Sequence, residues 1–170
     1  MMNYFDLFEI PVQLKIDKAV LHKKFIELSK KYHPDYFANA TAEVQADVLE
    51  RSALLNKALK TLQQPDETIK YVLIQKGLLQ EEEKYELPPD FLMEMMDINE
   101  QLMDADNAAV VHTLRTAIDT LQTEIYAPVE TIITDYEEGT TTEEELLQVK
   151  AYYYKKKYLA RIRQQLVGKA

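Results

Sequence analysis

Apolar side chains recur every three or four residues along most of this chain, and glycine hardly interrupts them: 170 residues hold 3 Gly and 6 Pro. A strand would need alternation with a period of two, and an all-β fold would need many glycine-rich turns. A period near 3.6 with so few breakers predicts an all-α protein. Val20, Leu21, Phe25, Leu28 and Tyr32 share one face of a helix opened by Asp17 and ended before Pro34, which disfavours the α conformation at His33. A second long helix runs from about Thr41 to about Leu62, with Val44, Val48, Ser52, Leu55 and Leu59 as its stripe and Pro65 as its stop. Short helices fit Tyr4 to Phe8 and Asp66 to Ile74, the latter closed by Gly77 in a left-handed cap. Tyr4, Phe5 and Phe8 read as core. Together these segments predict a helical hairpin flanked by two short helices.

The charged stretch from Gln80 to Glu86, followed by Pro88-Pro89, reads as a boundary, giving units 1–77 and 89–170 joined by a linker at 78–88. The second unit has the pattern of an antiparallel three-helix bundle. Its helices are predicted at Pro89 to Met103, at Ala108 to Glu137 with a kink or break at Pro128, and from Thr142 to Leu166. Thr142 and Glu145 form a capping box at the start of the last one. Phe91, Leu92, Met93, Met95, Met96 and Ile98 cover too wide an arc for one core stripe, so Met93 is expected at the surface. Tyr152-Tyr153-Tyr154 also spans several faces, so at least one of these rings is expected to be exposed.

Charge is unevenly distributed. Residues 1–79 carry 11 basic and 10 acidic side chains, residues 80–146 carry 2 and 19, and residues 147–170 carry 7 and none. The basic end is therefore expected to pack beside the acidic stretch. The net charge of −9 argues against a nucleic-acid partner, and Lys155-Lys156-Lys157 lies among acidic helices that would repel phosphate. No apolar run suits a membrane span and the N-terminus resembles no targeting segment, so a cytoplasmic protein with no membrane partner is expected. With zero Cys, disulfides and thiolate metal sites are excluded. His22, His33 and His112 follow no metal-ligand spacing, and there is no nucleophile motif or phosphate loop. Neither a cofactor nor an enzyme activity is expected. Asn39-Ala40-Thr41 matches a glycosylation sequon that a chain without a secretory signal would not use.

Between the two long N-terminal helices lies His33-Pro34-Asp35, preceded by a face bearing Lys18, Lys23, Lys24, Lys30 and Lys31. A tripeptide alone arises by chance in roughly one chain of this length in a hundred. Its loop position, after a basic helix and before a helix that contains Asn56, is far more specific. This arrangement resembles the J domain of DnaJ-type co-chaperones. The run Asn3-Tyr4-Phe5-Asp6-Leu7-Phe8 with Pro11, Ile16-Asp17, Ser52, Asn56, Thr61-Leu62, Pro65 and Phe91-Leu92-Met93-Glu94 resembles the HscB-type branch, which serves iron-sulfur cluster assembly.

The resemblance implies a non-enzymatic activator of an HscA/DnaK-class chaperone ATPase that delivers the cluster scaffold (IscU type) to it. In that reading 1–77 is the J domain and 89–170 the C-terminal oligomerisation and scaffold-binding bundle. The chaperone contact falls on His33, Pro34 and Asp35 with Lys23, Lys24, Lys30 and Lys31. Asp35 is suited to a charge-assisted hydrogen bond with an arginine of the ATPase, and the lysines to an acidic surface. The scaffold contact falls on Leu92, Met93, Met96, Asp97, Glu100 and Asp104, with Tyr158 in the aromatic place on the last helix. A bundle serving a different client is the alternative. Tyr36 stands where the family commonly has a basic residue, Thr68 where it often has Arg, and Asp97 and Asp104 where the branch often has Glu.

Overall fold

The computed structural model describes residues 2–168, and every regular element among them is helical. Helix α1 spans Tyr4–Leu7, α2 Lys18–Lys31, α3 Ala42–Leu62 and α4 Pro65–Gln75. Helices α5 (Pro89–Met103), α6 (Ala108–Tyr126), α7 (Glu130–Thr134) and α8 (Glu143–Val167) complete the chain. Short polar side chains start most of them by accepting hydrogen bonds from otherwise orphaned backbone N–H groups: Asn3, Asp17, Thr41, Asn107 and Thr142. At Thr142 the reciprocal bond to Glu145 is also formed. Pro128 breaks the sixth segment as expected, since α6 ends at Tyr126 and a 3-10 turn over Ala127–Val129 leads into α7. Gly77 sits at φ +73°, the left-handed conformation that ends α4.

Two apolar cores hold these helices. The distal one joins Phe91, Met95, Ile98 and Leu102 of α5 to Val111, Leu114 and Ile118 of α6 and Leu159, Ile162 and Leu166 of α8. The other gathers Phe5, Phe8, Leu21, Leu28, Leu55, Leu62, Ile69, Val72 and Leu73 from the N-terminal helices. It continues without a break into Val129, Ile133, Leu146, Val149, Tyr152 and Tyr153. The N-terminal half thus shares a core with the near end of the bundle. Lys156 on α8 reaches Asp66 on α4 at 2.7 Å, and Lys76 pairs with Glu138 across the same seam. Lys156 is half-buried; desolvation, the largest single influence, lowers its pKa, but the hydrogen bond and charge of Asp66 together with Tyr152 outweigh it and the net shift is upward.

This seam explains where the side chains depart from expectation. Tyr152 and Tyr153 are buried and Tyr154 is partly covered, so none of the three is exposed. The faces that a lone bundle would leave wet are covered, two by the shared core and one by the linker ring Tyr85, stacked on Tyr154 at 4.4 Å. Val20 and Val44, by contrast, lie on the edges of their stripes and are exposed. Ala58 and Leu62 complete the inward face of α3 instead. The basic C-terminal stretch does meet acidic partners, through Lys150 with Glu83 and Arg163 with Asp119.

Thr68 has a clear structural role. It is 1% exposed, and its hydroxyl lies 3.0 Å from the Gln64 carbonyl, 3.2 Å from that of Leu62 and 3.4 Å from that of Thr61. One short side chain thereby ties the start of α4 to the end of α3. Thr68→Val keeps the shape and deletes the donor. It is expected to lower stability by about 1–2 kcal/mol in urea unfolding, and an unchanged midpoint would show that the bond contributes nothing.

Candidate functional site

The loop between α2 and α3 is built by local chemistry. His33, restricted by the following proline, is extended at φ −69° and ψ 129°, and Pro34 opens a 3-10 turn over Pro34–Phe37. His33 Nδ1 accepts from the Asp35 N–H at 3.3 Å, which in neutral imidazole assigns the ring proton to Nε2. Gln45 on α3 donates to the carbonyls of Phe37 and Ala38 at 3.1 and 2.9 Å, holding the far side of the loop. Arg51, also on α3, donates to the Tyr32 hydroxyl at 2.9 Å and lies against its ring. The loop is fixed at both ends while its tip stays free. The Asp35 side chain is 87% exposed, and among the described residues its one titratable neighbour is the His33 ring, with Nδ1 3.6 Å away. Tyr36 is exposed beside it, edge-on to His33.

The lysines lie on the helix that runs into this loop. Lys23, Lys30 and Lys31 are exposed, whereas Lys24 is half-buried and sits 3.9 Å from Glu9, a surface pair of little energetic weight. Lys31 also approaches the Tyr32 ring. Lys23, Lys30 and Lys31 are therefore accessible along α2, as are His33, Pro34 and Asp35 at its exit, with Lys24 partly covered.

A second surface lies on α5. Phe91, Met95, Ile98 and Leu102 turn inward at spacings of four, three and four. That leaves Leu92, Met93 and Met96 outside, the two methionines 65% and 61% exposed, with Asp97, Glu100 and Asp104 exposed beside them. Tyr158 on α8 is half-buried, its ring edge-on to Phe91 at 6.2 Å. Leu92 and Tyr158 line one groove together with Tyr85, Leu87 and Tyr154, so the anchors on α5 and α8 converge. The linker is a wall of this groove. Its Glu83 is bonded to Lys150 at 2.6 Å, which holds the carboxyl below its ordinary range.

Met103, 81% exposed, extends the same strip and was missed; its spacing of seven from Met96 was the available signal. Nothing in the local pattern marked Tyr85, because a charged, proline-ended segment reads as a spacer. Among the described residues no group of His, Asp and Glu is placed to hold a metal ion, and no helix is long and apolar enough to cross a membrane.

A helical hairpin with His-Pro-Asp exposed at its turn and a three-helix bundle sharing its core is the architecture of a J-domain co-chaperone. The family model of the HSCB C-terminal oligomerisation domain matches residues 87–167. A co-chaperone protein HscB homolog of Haemophilus ducreyi is 32% identical over 158 residues, covering 92% of this chain and 91% of that one. The match to the homolog of Photobacterium profundum is 34% identical and spans 64% of each chain. Among solved structures, chaperone HscB from Vibrio cholerae superposes with a TM-score of 0.72 at 28% identity, covering 97% of this chain and 95% of that one. Human co-chaperone protein HscB gives 0.78 at 25%, covering 98% and 81%. The chain belongs to the HscB co-chaperone family.

Proposed function

We propose that this protein activates a chaperone ATPase of the HscA/DnaK class and brings it an iron-sulfur cluster scaffold of the IscU type, with residues 1–77 as the J domain, 78–88 as the linker and 89–170 as the scaffold-binding bundle. The observation that carries this reading is the pairing of two separate accessible surfaces on one framework. His33-Pro34-Asp35 with Lys23, Lys24, Lys30 and Lys31 serves the chaperone. Leu92, Met93, Met96, Asp97, Glu100, Asp104 and Tyr158 serve the scaffold.

Each surface suits its role chemically. Asp35 offers a carboxylate that makes no hydrogen bond among the described residues, on a turn ordered in advance, so engagement by a cationic partner costs little conformational entropy. Unbranched, polarizable methionines make an adaptable apolar contact, and the carboxylates around them give it orientation. The ATPase would carry out all the chemistry; this chain supplies contacts that favour one of its states.

The scaffold half is tested by replacing both groove anchors. Leu92→Ala with Tyr158→Ala is expected to weaken scaffold binding by roughly two orders of magnitude in calorimetry, as for paired apolar hot spots. Stimulation of the ATPase in the absence of scaffold should persist in that variant. Scaffold affinity indifferent to both changes would favour a different client for the bundle.

A further inference from the structure

Apart from Lys155, which is half-buried over the Phe91 ring and outside the Leu92–Tyr158 groove, the cations of α8 fall into two groups. Lys150 is held by Glu83, Lys156 by Asp66 and Arg163 by Asp119. Lys157 and Arg161 are exposed and have no ion pair among the described residues. They stand four residues apart, one turn of helix, and both line the groove that contains Leu92 and Tyr158. Across the Leu92–Tyr158 seam the exposed face of α5 is acidic, through Asp97, Glu100 and Asp104. The apolar centre thus has carboxylates on one side and two unneutralised cations on the other.

We propose that Lys157 and Arg161 form a carboxylate-binding rim of this docking site, which takes a scaffold segment whose apolar side chain enters between Leu92 and Tyr158 and whose acidic side chain lies toward α8. This rests on the scaffold reading above and adds polarity to it. An acidic strip alone would accept a basic partner in either direction along α5. With opposite charges on the two banks, only one orientation satisfies both, and the reversed one sets like charges against each other. Arg161 has the planar fork for a bidentate grip on a carboxylate, and Lys157 adds a point charge. Glu83, Lys84 and Glu86 of the linker also border the groove; Glu83 is taken by Lys150, and among the described residues no ion pair joins Glu86 to Lys157 or Arg161, which leaves both available to a partner beside Lys84.

The full-length chain is titrated with the cluster scaffold protein at low and at moderate salt. Lys157→Glu with Arg161→Glu is expected to weaken binding about tenfold or more at low salt and to flatten its salt dependence. Lys157→Gln with Arg161→Gln should fall between the two, and Arg161→Lys should retain part of the affinity. Circular dichroism melting of each variant monitors the fold of α8. Scaffold binding that requires Leu92 and Tyr158 but is unmoved by either double change overturns the rim. Binding indifferent to Leu92→Ala with Tyr158→Ala defeats the underlying scaffold reading, so the two failures are distinct.

Discussion

Asp35→Asn is expected to abolish stimulation of the partner ATPase while leaving the melting temperature where it was. The two outcomes have separate physical origins. Among the described residues the Asp35 carboxylate, 87% exposed, approaches only the His33 ring, at 3.6 Å, so its loss takes nothing of consequence from the fold. Its backbone N–H still donates to His33 Nδ1 and the turn survives. In the proposed complex the same carboxylate becomes desolvated against a cation. Truncating one member of such a pair costs roughly 2–5 kcal/mol, at least about thirtyfold in affinity, because the partner's charge is left buried and unmatched. Asparagine keeps the shape, so the variant tests the charge alone. Single-turnover ATP hydrolysis by an HscA/DnaK-class chaperone provides the measurement. Turnover that stays stimulated at saturating concentrations of the variant would remove the trigger from His33-Pro34-Asp35.

The reason this loop was legible is that its geometry is local. Proline restricts the residue before it, Pro34 starts a turn, and a histidine at the cap position bonds two residues on; none of this needs a distant part of the chain. The α5 surface was legible for a related reason. One helix turns only one stripe inward, and with Phe91, Met95, Ile98 and Leu102 inside, Met93 and Met96 had to be outside. The expectation for Tyr152-Tyr153-Tyr154 failed because these rings answer to partners far away in sequence. Tyr153 lies in the core shared with α1 to α4, and Tyr154 is covered by Tyr85, a residue about seventy positions earlier on a segment with no periodicity of its own. Lys157 and Arg161 were hidden likewise. In a run of basic residues, pairing partners decide which cations remain free, and Asp66, Glu83 and Asp119 come from three different parts of the chain.

Val149→Asp is expected to unfold both halves, and this follows from the shared core. Val149 is 0% exposed in a cluster that includes Phe5, Phe8, Val72 and Leu73 as well as Val129, Ile133 and Tyr152. An unpaired carboxylate there must lose its solvation or its charge, a cost of several kcal/mol against a total stability of about 5–15 kcal/mol for a protein of this kind. Ile118→Asp, equally buried in the distal core, is the matched comparison, since that cluster contains no residue from α1 to α4. Native-state hydrogen exchange distinguishes the two. The first variant should lose protection at the amides of Leu55, Val72 and Leu73 together with α8. The second should lose it mainly in α5, α6 and the far end of α8, with the N-terminal helices retaining theirs. If Val149→Asp left the N-terminal amides protected, the halves would fold independently, and the seam would merely be a contact. Loss of protection on both sides means that the His33-Pro34-Asp35 loop and the Leu92–Tyr158 groove are carried by one cooperative unit, so the relative direction of the two surfaces is set by packing around Val149 and Tyr152 rather than by the linker.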